Sequence, residues 1–132
     1  MTTKGRSAGI TAAVAAAALG LWQPAAAQEP VHTNLSADFH GRAIGRQYLK
    51  AEDVVTATDP QGVVCGRYVV KTAGIYGFMH VYGDDKTTLK DEGATTGDAL
   101  IFKVNGRKVR AAGPDAPVWT GDGECINVNL SK

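Results

Sequence analysis

Between Val81 and Asp98 the chain reads VYGDDKTTLKDEGATTGD, with carboxylates at Asp84, Asp85, Asp91, Glu92 and Asp98. A hard cation such as Ca2+ takes roughly six to eight oxygen ligands. Asp84, Asp85, Asp91 and Asp98, helped by backbone carbonyls near Gly83 and Gly93, are the residues that would supply them. The spacing is not that of an EF-hand, because no D-x-[DN]-x-[DN]-G run is present. Lys86 and Lys90 lie inside the stretch and oppose cation binding. The simpler alternative is a polar connection in which Asp and Gly cap turns, or a recognition loop.

Other side chains offer different chemistry. Flat rings stack on sugar faces, and Tyr76, Tyr82 and Trp119 are the rings for such a platform. Trp119 also suits a plug at one end of a core. The histidines are His32, His40 and His80, and neither cysteine opens the Cys/His/Met loop that a copper site requires. No G-x-S-x-G, H-E-x-x-H or P-loop motif occurs, and no Ser, His and acid stand out as a triad. A non-enzymatic protein is the expectation.

The ends of the chain speak to location. Lys4 and Arg6 precede an alanine-rich apolar run, residues 10–21, and Ala25, Ala26 and Ala27 supply small residues for cleavage. This is the pattern of a secretory signal peptide. The run is short of the ~20 apolar residues of a membrane span. Residues 1–27 are therefore expected to be removed, leaving 28–38 as an N-terminal extension and 39–132 as one domain. Cleavage takes Lys4 and Arg6 from the 14 basic residues and none of the 13 acids, so 12 face 13 and the net charge is about −1. That balance argues against nucleic acid. No membrane span is expected in the mature chain. The expected product is secreted, periplasmic or extracellular, and monomeric, with a cell-surface polymer or a partner protein as its target.

Cys65 and Cys125 both survive cleavage. In an oxidising compartment two cysteines suggest one disulfide. Strand phase puts Cys65 with Arg67 and Lys71, and Cys125 with Asn127 and Asn129, so a bridge would lie at the rim and not in the core. A bulge would shift that phase. The outward Asn127 and Asn129 also argue against an internal isopeptide bond.

The elements that must position these groups are short strands. VVTAT (54–58), VVCGRYVVK (63–71), IYGFMHVY (75–82), ALIFKV (99–104), RKVRA (107–111) and CINVNL (125–130) are β-branched or alternating, and a further strand is expected near Phe39 to Ile44. DPQG (59–62) suits a type I turn, and Asn105-Gly106 suits a two-residue hairpin. Leu100, Phe102, Val104, Ile126, Val128, Leu130, Val64, Tyr68, Val70, Val55, Ile75, Phe78 and Val81 are the expected core. The fold class that follows is all-β, an antiparallel two-sheet sandwich of about seven strands.

Over residues 39–130 the sequence resembles prealbumin-like and carboxypeptidase-regulatory-like sandwiches of the wider Ig-like group, found in secreted and surface proteins of bacteria and archaea. VVCG, TAGIYG, VYGDD, DEGATTGD and VNG carry the likeness. RQYLKAED departs from the family's Gly/Pro-rich first turn. The resemblance implies a non-enzymatic spacer, stalk or binding module, and no particular ligand. Loop 83–98 and segment 113–124 are the expected contact end.

Overall fold

The computed structural model describes residues 28–45, 48–87 and 91–132. The signal-peptide reading falls on residues 1–27, outside them. Eight strands carry the fold: β1 Ser36–Arg42, β2 Val54–Thr58, β3 Val64–Val69, β4 Ile75–Tyr82, β5 Ile101–Val104, β6 Arg107–Lys108, β7 Arg110–Pro114 and β8 Cys125–Ser131. The described residues contain no helix.

The turns that the sequence marks form as their chemistry requires. Asn105 and Gly106 have φ of 51° and 83°, the left-handed pair of a tight hairpin between β5 and β6. Asp59 starts the next turn: Gly62 N–H donates to its carbonyl (3.0 Å). Its carboxylate Oδ1 accepts from Gln61 N–H and Val63 N–H, both 2.9 Å.

The strands pair continuously in the order β6-β5-β2-β3-β4-β1-β8-β7. Every pair is antiparallel except β1 with β8. This corrects the two-sheet expectation. One sheet twists and curls until its ends nearly meet, giving a barrel-like enclosure. Ala99 bridges Val118, Leu100 N–H donates to Pro117 O (2.7 Å), and β5 contacts β7. A sandwich would instead interrupt the ladder between its two sheets.

One face of the curled sheet is the core. Phe39, Phe102, Met79, Val55, Val128 and Leu130 lie at or near zero exposure. Phe102 packs against Phe39 and Tyr76 at centroid distances of 5.8 and 6.3 Å. Such tilted pairs add to what area burial alone supplies. Each end is plugged by a loop residue. Trp119 closes one end, donating its indole N–H to Val81 O (2.8 Å). Leu49 closes the other, beside its own carbonyl's bond from Gly74 N–H (2.9 Å).

Two bulges overturn parts of the expected phase. In β4, Gly77 and Phe78 together oppose His40 of β1, since Phe39 pairs with Met79 and Gly41 with Tyr76. The extra residue turns Tyr76 inward and Ile75 outward, while Phe78 is outward in normal alternation with Met79 and Val81, so Phe78 and Ile75 are exposed instead of buried. Gly77 has φ of 116°, and a Cβ there would sit 2.5 Å from that of His40. Only glycine lets the strands approach so closely.

In β3, Gly66 pairs with Ala57 and Val64 with Thr58, leaving Cys65 as the extra residue. Cys65 turns inward and is fully buried, while Cys125 stays exposed. The expected disulfide is absent: both thiols are free. β4 and β1 separate the two strands, placing them about 14 Å apart at ~4.8 Å per strand. A disulfide needs Cα atoms within ~7 Å.

Candidate functional site

The outward turn of Phe78 builds a surface. His40, Gly41 and Arg42 of β1, Ile75 and Phe78 of β4, and Asn127 and Asn129 of β8 line an open concavity of about 880 Å³. Phe78 is 59% exposed and Ile75 50%. The His40 ring meets Phe78 edge-on at 4.9 Å. Asn129 Oδ1 accepts from Arg42 N–H (3.0 Å), which leaves its amide N–H2 to donate. The floor thus offers apolar faces beside amides, an imidazole and a guanidinium.

Further along the same outer face, His32 stacks on Tyr82 at 4.6 Å, and His80 Nδ1 contacts Asp38 Oδ1 at 2.5 Å. Asp38 pairs in register with both His80 and Cys125. The Cα atoms of Cys125 and His80 are therefore two strand spacings apart, about 10 Å. Cys65 is secluded: burial pushes its thiol up to about 12, with the Asp59 charge adding to the rise.

The barrel's ends differ in charge. One end comprises residues 59–63, 83–100 and 115–124, and its described residues include nine acids and one cation, Lys86. The other comprises residues 42–53, 71–74, 105–110 and 131–132, with seven cations and two acids, Glu52 and Asp53.

The acidic end holds the carboxylates proposed for Ca2+, and it distributes them among turns. Asp84 Oδ1 accepts from Glu92 N–H (3.0 Å) and Asp98 Oδ2 from Thr95 N–H (2.9 Å). Asp85 Oδ1 accepts from Thr87 N–H and Oγ1 (2.9 and 2.7 Å); the Thr87 hydroxyl above all holds its carboxyl below the usual range. Asp91 is raised above that range, first by desolvation and then by the charges of Asp59 and Asp84. Among the described residues no three His, Cys, Asp or Glu side chains converge as metal ligands. Asp59, which sequence reasoning treated only as a turn residue, is wholly buried, and its Oδ2 has no donor.

The sugar platform expected from Tyr76, Tyr82 and Trp119 does not assemble. Tyr76 is buried and donates its hydroxyl to Val128 O (2.6 Å), and Trp119 is the core plug, so neither ring face is open to a sugar. Tyr82 alone remains partly exposed. Phe78, Ile75 and His40 are the rings and aliphatic side chain that the outer face presents instead, Ile75 because the bulge reverses the alternation before Met79.

At the basic end, Tyr48, Lys50, Arg107, Lys108 and Lys132 border a second concavity of about 570 Å³. Asp53 lies in it, held low by Lys50 N–H (2.8 Å), then by the Asn105 amide (3.0 Å) and the Lys50 charge. No helix of the described residues is long and apolar enough to cross a membrane.

No protein-family profile, curated protein or solved structure matches this chain. The likeness to prealbumin-like domains therefore rests on the sequence motifs alone.

Proposed function

We propose that the protein is a small exported, non-enzymatic β-domain that acts by binding, and that the groove around Phe78 receives a glycan. The observation that carries this reading is the exposed Phe78–Ile75 surface set among His40, Arg42, Asn127 and Asn129. Sugars present apolar ring faces edged by hydroxyls, which suits rings and aliphatic side chains flanked by amide donors. The signal-peptide pattern of residues 1–27 supports export.

The test is a pull-down of the protein with a panel of insoluble polysaccharides. Retention by at least one, lost in large part on Phe78→Ala, is expected. Phe78 is exposed, so the variant should melt as the parent does. No retention by any polysaccharide, or equal retention of the variant, would sink the reading.

A calcium-stabilised adhesion domain is the second reading, favoured by the buried Asp59 Oδ2 without a donor next to Asp91. It requires millimolar Ca2+ to raise the melting temperature of chelator-treated protein by several degrees, as saturating a native-state site would. An unchanged melt removes it.

A further inference from the structure

The acidic and basic ends do not use their charges alike. Asp59, Asp84, Asp85, Asp98, Asp115 and Asp122 each accept a backbone N–H with a carboxylate oxygen. Their charges are committed to holding loops. The seven cations of the basic end are all exposed, and none makes an ion pair among the described residues. They come from four separate chain segments that only the barrel's closure gathers. Like charges brought together cost stability through mutual repulsion, and here seven cations face only Glu52 and Asp53.

The concavity among them has a particular form. Lys50, Arg107, Lys108 and Lys132 border it, and Tyr48 stands in it with 82% of its surface exposed. Asp53, the acid within, already accepts from Lys50 N–H and the Asn105 amide. An occupant would meet several mobile positive charges spread over a broad surface, with one flat ring beside them. We propose that this basic end is a docking surface for an acidic polysaccharide, its carboxylate or sulfate groups facing the cations and a sugar face lying on Tyr48. This goes beyond the groove reading, because none of the residues bordering this concavity lines the Phe78 groove. A second copy of the chain is a weaker occupant, since the acidic end that would meet these cations has most of its carboxylates engaged in its own turns.

The experiment measures binding of the purified protein to polygalacturonate, to a sulfated glycan, to neutral dextran and to duplex DNA. Expected is binding to the two acidic glycans and not to dextran, weakening as salt rises because exposed charges are screened. The double variant Arg107→Glu/Lys108→Glu should bind about tenfold or more weakly. Tyr48→Ala should weaken binding a few-fold. Phe78→Ala should leave binding to the acidic glycans in place, which separates this site from the groove. All these positions are exposed, and an unchanged melt verifies folding. Equal binding to dextran, or no response to charge reversal, overturns the proposal. Tighter binding to DNA than to either glycan overturns it in favour of nucleic acid. Concentration-dependent growth in mass that charge reversal abolishes overturns it in favour of self-association.

Discussion

At the end built by residues 59–63, 83–100 and 115–124, a core tryptophan is hydrogen-bonded in place and carboxylates lock the loops around it. At the opposite end Leu49 is the plug, Tyr48 beside it points to solvent, and the cations are left unpaired among the described residues. The contrast is between charge used for structure and charge left available. A carboxylate is acceptor-only and short, so it satisfies the backbone N–H groups that a loop exposes. Lysine and arginine side chains are long, and they keep their heads in water.

The largest test of this contrast is at the aromatic residues of the two opposite ends. Trp119→Ala should cost about 3–5 kcal/mol, the loss of a buried ring plus its cavity. Tyr48→Ala should change stability by no more than ~0.5 kcal/mol. Urea denaturation of both variants decides it, and a Trp119→Ala cost below ~1 kcal/mol would break the account of that end as a plugged core.

Next comes Asp59. Asp59→Ala orphans the N–H groups of Gln61 and Val63 and should cost about 1–3 kcal/mol. Asp59→Asn keeps an acceptor for both, and its amide can donate toward Asp91. It should be at least as stable as the parent, because it replaces Oδ2, the buried oxygen without a donor, by an amide that can donate. If the two variants fall equally, Asp59 is held by its charge and not by its geometry.

The smallest effects lie in pH dependence, and the ends should have opposite signs. Asp91 is raised in the fold, so its stabilising contribution is present below the unfolded carboxylate value and disappears as pH rises through the folded one. Asp91→Asn should therefore stabilise at neutral pH. Asp53 is lowered, so its contribution is present above the unfolded value and is lost as pH falls through the folded one. Asp53→Asn should destabilise at neutral pH and have little effect in strong acid. Each change should stay below about 1 kcal/mol. Urea midpoints across the acid range measure it, and matching signs for the two variants would dissolve the distinction between the ends.

Much of the fold was legible because it depends on local rules. The limits of β2 and β4, the Asn105-Gly106 hairpin and the Asp59 turn follow from side-chain branching, alternation and turn chemistry. Leu100, Phe102, Val104, Ile126, Val128 and Leu130 are buried as their alternation requires. The candidate site was far less legible. Tyr76 reads as aromatic surface and is core, Trp119 reads as either surface or plug and is the plug, and Phe78 reads as core and is surface. A ring's type does not say which face of a sheet it occupies. One extra residue at Gly77-Phe78, and another at Cys65, puts the side chains on the two sides of each bulge in opposite phase.

By itself the sequence determined that the domain is all-β, roughly where its strands lie, with β2 and β4 to the residue, and where tight turns fall. These are settled by interactions spanning a few residues. The tertiary structure decided that the strands curl into one barrel-like sheet, that Cys65 and Cys125 lie too far apart to bond, and that charges from distant segments collect at opposite ends. Those outcomes depend on which strands become neighbours and where a ladder slips, and pairing between residues dozens of positions apart leaves no local mark in the chain.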